Sequence, residues 1–171
     1  MRKIILGVAI SLDGYIEGPN GEYDWCFTDQ DYGMKEFYTR IDSMFIGRKS
    51  FELLQNMGDE AMPGFPRLKE YVFSTTLDEV RPGAVLIKEN IKYEIEKIKE
   101  EPGKDIWLFG GASLTASLID LGFVDEIGLA VHPILLGSGK LLFNSIEKRI
   151  LLTLKDTKTY SSGLVYLTYT L

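Results

Sequence analysis

The sequence predicts an α/β fold built on a largely parallel central sheet flanked by helices, and three observations carry that expectation. Short apolar runs suited to strands alternate with segments of helical spacing along most of the chain. Two of those runs, residues 3–11 and Ile106-Trp107-Leu108-Phe109, are apolar almost without interruption, as in strands buried on both faces. The second ends at Gly110-Gly111, after which Leu114, Leu118 and Leu121 recur at helical spacing until Gly122 stops the pattern. A strand, a glycine turn and a helix in that order let a backbone approach another object with no Cβ in the way. They also aim the free N–H groups of the helix at it. Ser113 stands near that helix start as a candidate cap.

The other elements follow in chain order. After the first strand, a turn-rich loop from Asp13-Gly14 through Gly18-Pro19-Asn20-Gly21 leads to Trp25, and residues 29–40 have helical spacing. Residues 44–47 read as a second strand, 49–55 as a short helix, and 57–66 as a loop rich in Met, Gly and Pro. Residues 71–73 and 84–87 are two further short strands. Between 91 and 100, Ile91, Ile95 and Ile98 mark the apolar face of a helix, and Lys92, Glu96, Lys99 and Glu100 its solvated face. Residues 125–136 form a strand interrupted at His132-Pro133, and 149–155 and 163–170 form a closing pair turned by Ser161-Ser162-Gly163. Val165, Leu167 and Tyr169 alternate with Tyr166, Thr168 and Thr170, the pattern of a buried sheet face against a wetter one. With no internal repeat and no linker, one domain over residues 1–171 is expected.

Composition narrows the function. The chain is 45% hydrophobic, 12% aromatic and 26% charged, which suits an ordinary globular protein. Its net charge of −6 offers no electrostatic footprint for nucleic acid or an anionic membrane. One cysteine, Cys26, rules out an intramolecular disulfide, and with one histidine and no clear carboxylate cluster no metal site is expected. The basic start and the run from Ile4 to Ile10 imitate a signal peptide, but the run is short and Asp13 follows closely, so a buried strand is the better account. No apolar segment is long enough to span a bilayer, and a cytoplasmic location is the expectation.

Gly137-Ser138-Gly139-Lys140 looks like the end of a phosphate-binding P-loop, but the required glycine is Ile134 here and the magnesium-binding hydroxyl is Leu141. A turn carrying an exposed lysine is the alternative. Gly47-Arg48-Lys49-Ser50 follows a strand and opens a helix. Two cations there oppose the helix dipole, worth about 0.3–1 kcal/mol, unless a negative ligand compensates them. Solvated surface residues are the competing account. Ser74-Thr75-Thr76 follows another strand. Three such junctions on the carboxyl edge of one sheet suit an extended phosphate-bearing ligand such as a dinucleotide.

The order of S-L-D-G-Y-I (11–16), a loop with Trp25, G-R-K-S-F-E (47–52), F-S-T-T (73–76), F-G-G-A-S-L (109–114) and H-P-I-L-L-G-S-G (132–139) resembles the dihydrofolate reductase-like superfamily. It is most similar to the reductase domain of the bifunctional riboflavin-biosynthesis deaminase/reductases, and the resemblance spans nearly the whole chain. It implies an NADPH-binding, mixed but mostly parallel sheet with an antiparallel C-terminal strand, and a homodimer. It assigns Arg48 to the adenosine 2′-phosphate with Ser74 and Thr75 alongside, and Gly47, Lys49 and Ser50 to the same cofactor edge, Ser50 at the pyrophosphate. Gly110, Gly111, Ala112, Ser113 and Leu114 would wrap the pyrophosphate from its other side, in a family whose Gly-Gly bond is typically cis. Ala9 and Ile16 would line the nicotinamide.

The implied reaction is hydride transfer to a C=N or C=O carbon of a small heterocycle, with a ribosylaminopyrimidine or a pterin as the candidate substrate. Asp13 is the candidate catalytic polar group, or an Asp-Gly turn former. Trp25 and Phe109 are the candidate substrate-facing residues, and core filling is the alternative for Trp25. His132 reads as structurally satisfied. Folate-reducing relatives carry a helical carboxylate after the loop tryptophan, a position that neither Asp29 nor Asp31 matches, and the riboflavin-pathway relatives carry Glu where this chain has Phe109. These departures keep a non-catalytic nucleotide-binding or sensor protein in view.

Overall fold

A computed structural model describes residues 1–57 and 64–171. Its elements are β1 (Ile4–Ser11), β2 (Tyr15–Glu17), α1 (Met34–Arg40), β3 (Ile41–Gly47), α2 (Arg48–Met57), β4 (Lys69–Phe73), β5 (Val85–Ile87), α3 (Ile91–Glu100), β6 (Asp105–Gly110), α4 (Ala112–Asp120), β7 (Glu126–His132), β8 (Lys140–Leu141), β9 (Thr153–Thr159) and β10 (Val165–Thr170). Eight strands form one sheet in the order β5-β4-β3-β6-β1-β7-β10-β9. All pairings from β5 to β7 are parallel, and β10 is antiparallel to both β7 and β9. The sheet is therefore mixed and mostly parallel with an antiparallel C-terminal strand, as expected. Parallelism brings Ser11, Gly47, Phe73, Gly110 and His132, each the last residue of its strand, to one rim.

The unbroken apolar runs are explained by cover on both faces. Ile4, Leu6, Phe45, Ile106 and Leu108 pack with Ile95 and Ile98 of α3 and Leu118 and Ile119 of α4. Their neighbours Ile5, Met44, Ile46, Val72 and Trp107 pack on the other face with Phe37 of α1 and Phe51 of α2. Each fully buried side chain of this size contributes about 1.5–3 kcal/mol relative to an exposed one.

Several boundaries differ from the sequence expectation. The helix expected over 29–40 begins only at Met34, because Tyr32 and Gly33 adopt left-handed φ values of 49° and 85° and break the preceding turn. The strand expected at 44–47 starts earlier, at Ile41, with no loop after α1. The strand expected over 125–136 stops at His132, since Pro133 has no N–H to continue the ladder. The first member of the closing pair lies at 153–159 rather than 149–155, placed there by the turn whose Tyr160 N–H bonds the Leu164 carbonyl. Residues Val165 to Thr170 are all half-buried, so the expected contrast between the faces of β10 is absent. Helices α1, α2 and α4 pack chiefly against β3, β4 and β6, which leaves β10 only partial cover. The small β2/β8 sheet was not expected, and most of the loop expected at 57–66 lies outside the described residues.

The opposite rim is held by paired charges. Buried Arg2 bonds Asp42 and Ser43, Lys99 bonds Asp125 at 2.8 Å, and the buried Glu126 carboxylate takes Arg40 at 2.9 Å and Lys155 at 3.2 Å. Among the described residues no helix is long and apolar enough to cross a membrane.

Candidate functional site

The carboxyl rim gathers its glycines first. Gly47, last in β3, lies beside the turn after β6: a Cβ on it would stand at ordinary van der Waals distance, 3.6 Å from the Gly110 carbonyl oxygen and 3.7 Å from Leu114 Cβ. The Gly110-Gly111 peptide is cis, and Gly110 has a φ of 109° that L side chains rarely adopt. A Cβ on Gly111 would meet Ser50 Oγ at 3.3 Å and Lys140 Nζ at 3.8 Å. The starts of α2 and α4 thus face one another across a floor without side chains. Ala112 is buried in the first turn of α4, whereas Ser113 is exposed and makes no capping bond; Gly111 holds the N-cap position, so the expected Ser113 cap is not formed. The start of α4 therefore has no side-chain cap among the described residues.

Thr115 Oγ1 is fully buried and among the described residues has no hydrogen-bond partner, and it stands 3.7 Å from where a Gly110 Cβ would be. An orphaned hydroxyl, two helix starts and a cradle that any Cβ would narrow are what a phosphate-bearing cofactor needs. The residues present fit a dinucleotide.

Farther along the rim, Arg48 donates to both oxygens of Glu52 at 3.1 and 3.0 Å, one helical turn on, and stays about one-third exposed. Lys49 and Thr75 are exposed. Ser74 ends the approach from β4, and its hydroxyl accepts the N–H groups of Thr76 and Leu77 at 3.2 and 3.0 Å, closing a tight turn.

Asp13 is engaged from three sides. Its carboxylate accepts the Ser11 hydroxyl at 2.7 Å and the N–H groups of Leu136 and Gly137 at 3.1 and 2.8 Å. The Ser11 bond, followed by those backbone bonds, holds its pKa below the usual carboxylate range despite some desolvation. That makes Asp13 an acceptor and a loop clamp, ill suited to donate a proton near neutral pH. Ala9, half-buried on β1, falls on the same sheet face as Ile5 and Gly7, the face that Trp107 and Phe109 share on β6. Ile16, on β2, packs against the other core layer.

Trp25 sits edge-on to His132 with ring centroids 5.3 Å apart, and its indole donates to the Glu22 carbonyl at 3.2 Å. His132 Nε2 accepts the Phe27 N–H at 3.1 Å, which leaves Nδ1–H to donate to the Ala130 carbonyl at 2.9 Å. Burial lowers its pKa, opposed by backbone bonds at Ala130 and Ile10. The ring is thus neutral and structural: it pins the tryptophan loop to the end of β7. Burial pushes the neighbouring Cys26 thiol up to about 11, which removes it from nucleophilic chemistry. Phe109 stacks edge-on to Trp107 at 5.1 Å, and Trp107 in turn meets Phe37, Tyr38 and Phe65.

Two residues absent from the sequence-derived site belong to this rim. Thr115 carries no sequence signal beyond its helix. Lys140 had one, in the Gly-Ser-Gly-Lys string, which failed as a P-loop on spacing. Among the described residues no group of three His, Cys, Asp or Glu side chains could hold a metal ion.

Comparison with known proteins matches residues 2–166 to the model of the RibD C-terminal domain. The chain is 46% identical to the uncharacterized protein YyaP of Bacillus subtilis, over 98% of this chain and 94% of that protein. Among solved structures, a Shewanella sp. PV-4 protein named for riboflavin biosynthesis superposes with a TM-score of 0.85 at 24% identity, covering 99% of this chain and 98% of the other. Dihydrofolate reductase from Enterococcus faecalis, complexed with NADP(H) and RAB-propyl, superposes with a TM-score of 0.64 at 16% identity over 98% of this chain and 95% of its own. The fold is dihydrofolate reductase-like.

Proposed function

Because the chain belongs to the family of RibD C-terminal domains, a reductase domain, we propose that it is an NADPH-dependent reductase acting on a small planar heterocycle, with a ribosylaminopyrimidine of the riboflavin pathway as the first candidate. The observation that carries this reading is the glycine-floored cradle between the starts of α2 and α4, with the buried Thr115 hydroxyl, without a partner among the described residues, beside Gly110.

NADPH, when bound, supplies the hydride. The chain's own groups bind and orient. Gly47, Ser50 and the Gly110-Gly111-Ala112-Ser113-Leu114 segment hold the pyrophosphate through backbone N–H groups. Arg48 takes the 2′-phosphate in exchange for Glu52, with Lys49, Ser74 and Thr75 around it. Ala9 and Ile16 flank the nicotinamide. Trp25, steadied by His132, and Phe109 present flat apolar surface to the substrate ring. Asp13 keeps the adjoining loop in place.

The test is calorimetric titration with NADPH, followed by its oxidation, read at the nicotinamide absorbance band, against ribosylaminopyrimidines, pterins and quinones. Binding with turnover of one class is expected. No binding removes the cofactor reading. A second reading rests on Phe109, which puts an aromatic ring where riboflavin-pathway relatives carry Glu: a nucleotide-binding sensor, which tight NADPH binding without turnover of any class would favour.

The quaternary proposal is a homodimer through β9. Every residue of this edge strand is exposed, Leu154 is 54% exposed, and Leu151 just before it is 89% exposed. An open edge flanked by leucines is a surface that proteins normally cover. Sedimentation equilibrium should give twice the chain mass; a monomer with Leu154 accessible refutes it.

A further inference from the structure

We propose that Lys140 is a phosphate-binding residue of the dinucleotide cleft, delivered there by the Gly137-Ser138-Gly139 loop and held by Glu17 until an anion takes it. The inference rests on the cofactor reading above and adds a residue that this reading does not contain.

The loop is fastened at each of its points. Both Asp13 oxygens hold its start, through the N–H groups of Leu136 and Gly137. Gly139 lies against β2 with a φ of 134°, and a Cβ there would collide with the Glu17 carbonyl oxygen, so a side chain at 139 would push the loop away from β2. Beyond it, β8 pairs antiparallel with β2, setting Lys140 opposite Glu17 and Leu141 opposite Tyr15. Leu142 N–H bonds the Gly14 carbonyl at 3.1 Å, and its side chain is 1% exposed in the core. The second glycine therefore serves close strand approach, and the approach aims a lysine.

Its target is the cradle. Lys140 Nζ lies 3.8 Å from the place of a Gly111 Cβ, the same point that Ser50 Oγ approaches to 3.3 Å. Two helix starts, each of a helix of nine or ten residues, already concentrate positive potential there. A third positive group at that point is unfavourable by itself. Among the described residues its counter-charge is Glu17 Oε1 at 3.6 Å, with both side chains more than one-third exposed, and such a solvated pair contributes little. A diphosphate between Lys140 and the helix starts resolves the repulsion, and at the preceding residue of the same turn the buried Thr115 hydroxyl stands 3.7 Å from the place of a Gly110 Cβ.

The pyrophosphate is common to NADPH and NADH, so Lys140 should act on both alike. Lys140→Gln is expected to weaken both about tenfold, or roughly 1.4 kcal/mol, and to make binding less sensitive to ionic strength. Lys140→Arg should keep most of the affinity, and inorganic pyrophosphate should compete less well against NADPH in Lys140→Gln than in the unmodified protein. Glu17→Gln, which frees the ammonium, should bind as tightly as the unmodified protein or a few-fold tighter. Affinities of Lys140→Gln for both dinucleotides within twofold of the unmodified protein overturn the proposal and leave the cofactor reading standing. So does a loss matched by Lys140→Arg with unchanged pyrophosphate competition, which marks a packing role. Absence of dinucleotide binding by the unmodified protein overturns both.

Discussion

Replacing Arg48 with alanine removes a guanidinium that now spends its two bonds on Glu52, 3.0 and 3.1 Å away on the next helical turn. Both partners are more than one-third exposed, so the pair adds only about 0.3–0.5 kcal/mol to stability and the variant should unfold almost where the parent does. Binding is another matter. A charge-assisted bond to a phosphate is worth about 1.5–3 kcal/mol. Giving up Glu52 reduces this to about 1–2.5 kcal/mol, so NADPH affinity should fall roughly 5- to 60-fold. NADH has no 2′-phosphate and should lose nothing beyond about twofold. Titration calorimetry with both dinucleotides, beside a denaturation curve, measures all three quantities. Equal losses for NADPH and NADH would falsify the assignment of Arg48 to the 2′-phosphate, and a large loss of stability would show that the Glu52 pair matters more than its exposure implies. The contrast with Lys140→Gln, expected to weaken both dinucleotides, separates the two cations.

Three other outcomes follow from individual contacts. Burial lowers the His132 pKa, so the unfolded chain takes up its proton first as pH falls through the ordinary histidine value of about 6.5; stability should drop between about pH 7 and the lowered value, and His132→Gln should flatten that drop in urea unfolding measured at several pH values. Because burial pushes Cys26 up to about 11, the folded protein should react with a thiol reagent near neutral pH far more slowly than the unfolded chain, and equal rates would contradict that burial. Gly128→Ala drives a methyl into the Tyr166 ring and hydroxyl, with an expected loss of about 1–3 kcal/mol that Tyr166→Ala should partly relieve in a double-mutant cycle.

The elements legible in the chain were those whose signals are local. The doubly covered strands β1 and β6 announce themselves by apolar runs, and α3 by the spacing of Ile91, Ile95 and Ile98. The junction at Gly110-Gly111 is written in the residues that form it. Boundaries set by backbone conformation were less visible: nothing in Tyr32 or Gly33 as letters says that both take left-handed φ values and delay α1. The half-covered state of β10 depends on which strands receive helices, a property of the whole sheet.

Sequence by itself determined that several strand ends carry glycines, hydroxyls and cations suited to phosphate, because turn chemistry and helix starts are short-range. Tertiary structure alone decided which of them meet. Asp13 reaches Gly137 across 124 positions and Phe27 reaches His132 across 105, and parallel strand order, with its long crossovers, creates both encounters. For the same reason Lys140, rejected as a P-loop lysine on spacing, comes beside Gly111 only once β8 pairs with β2. Composition and periodicity act over a few residues, whereas a binding cleft forms from side chains that the sheet brings together from distant parts of the chain.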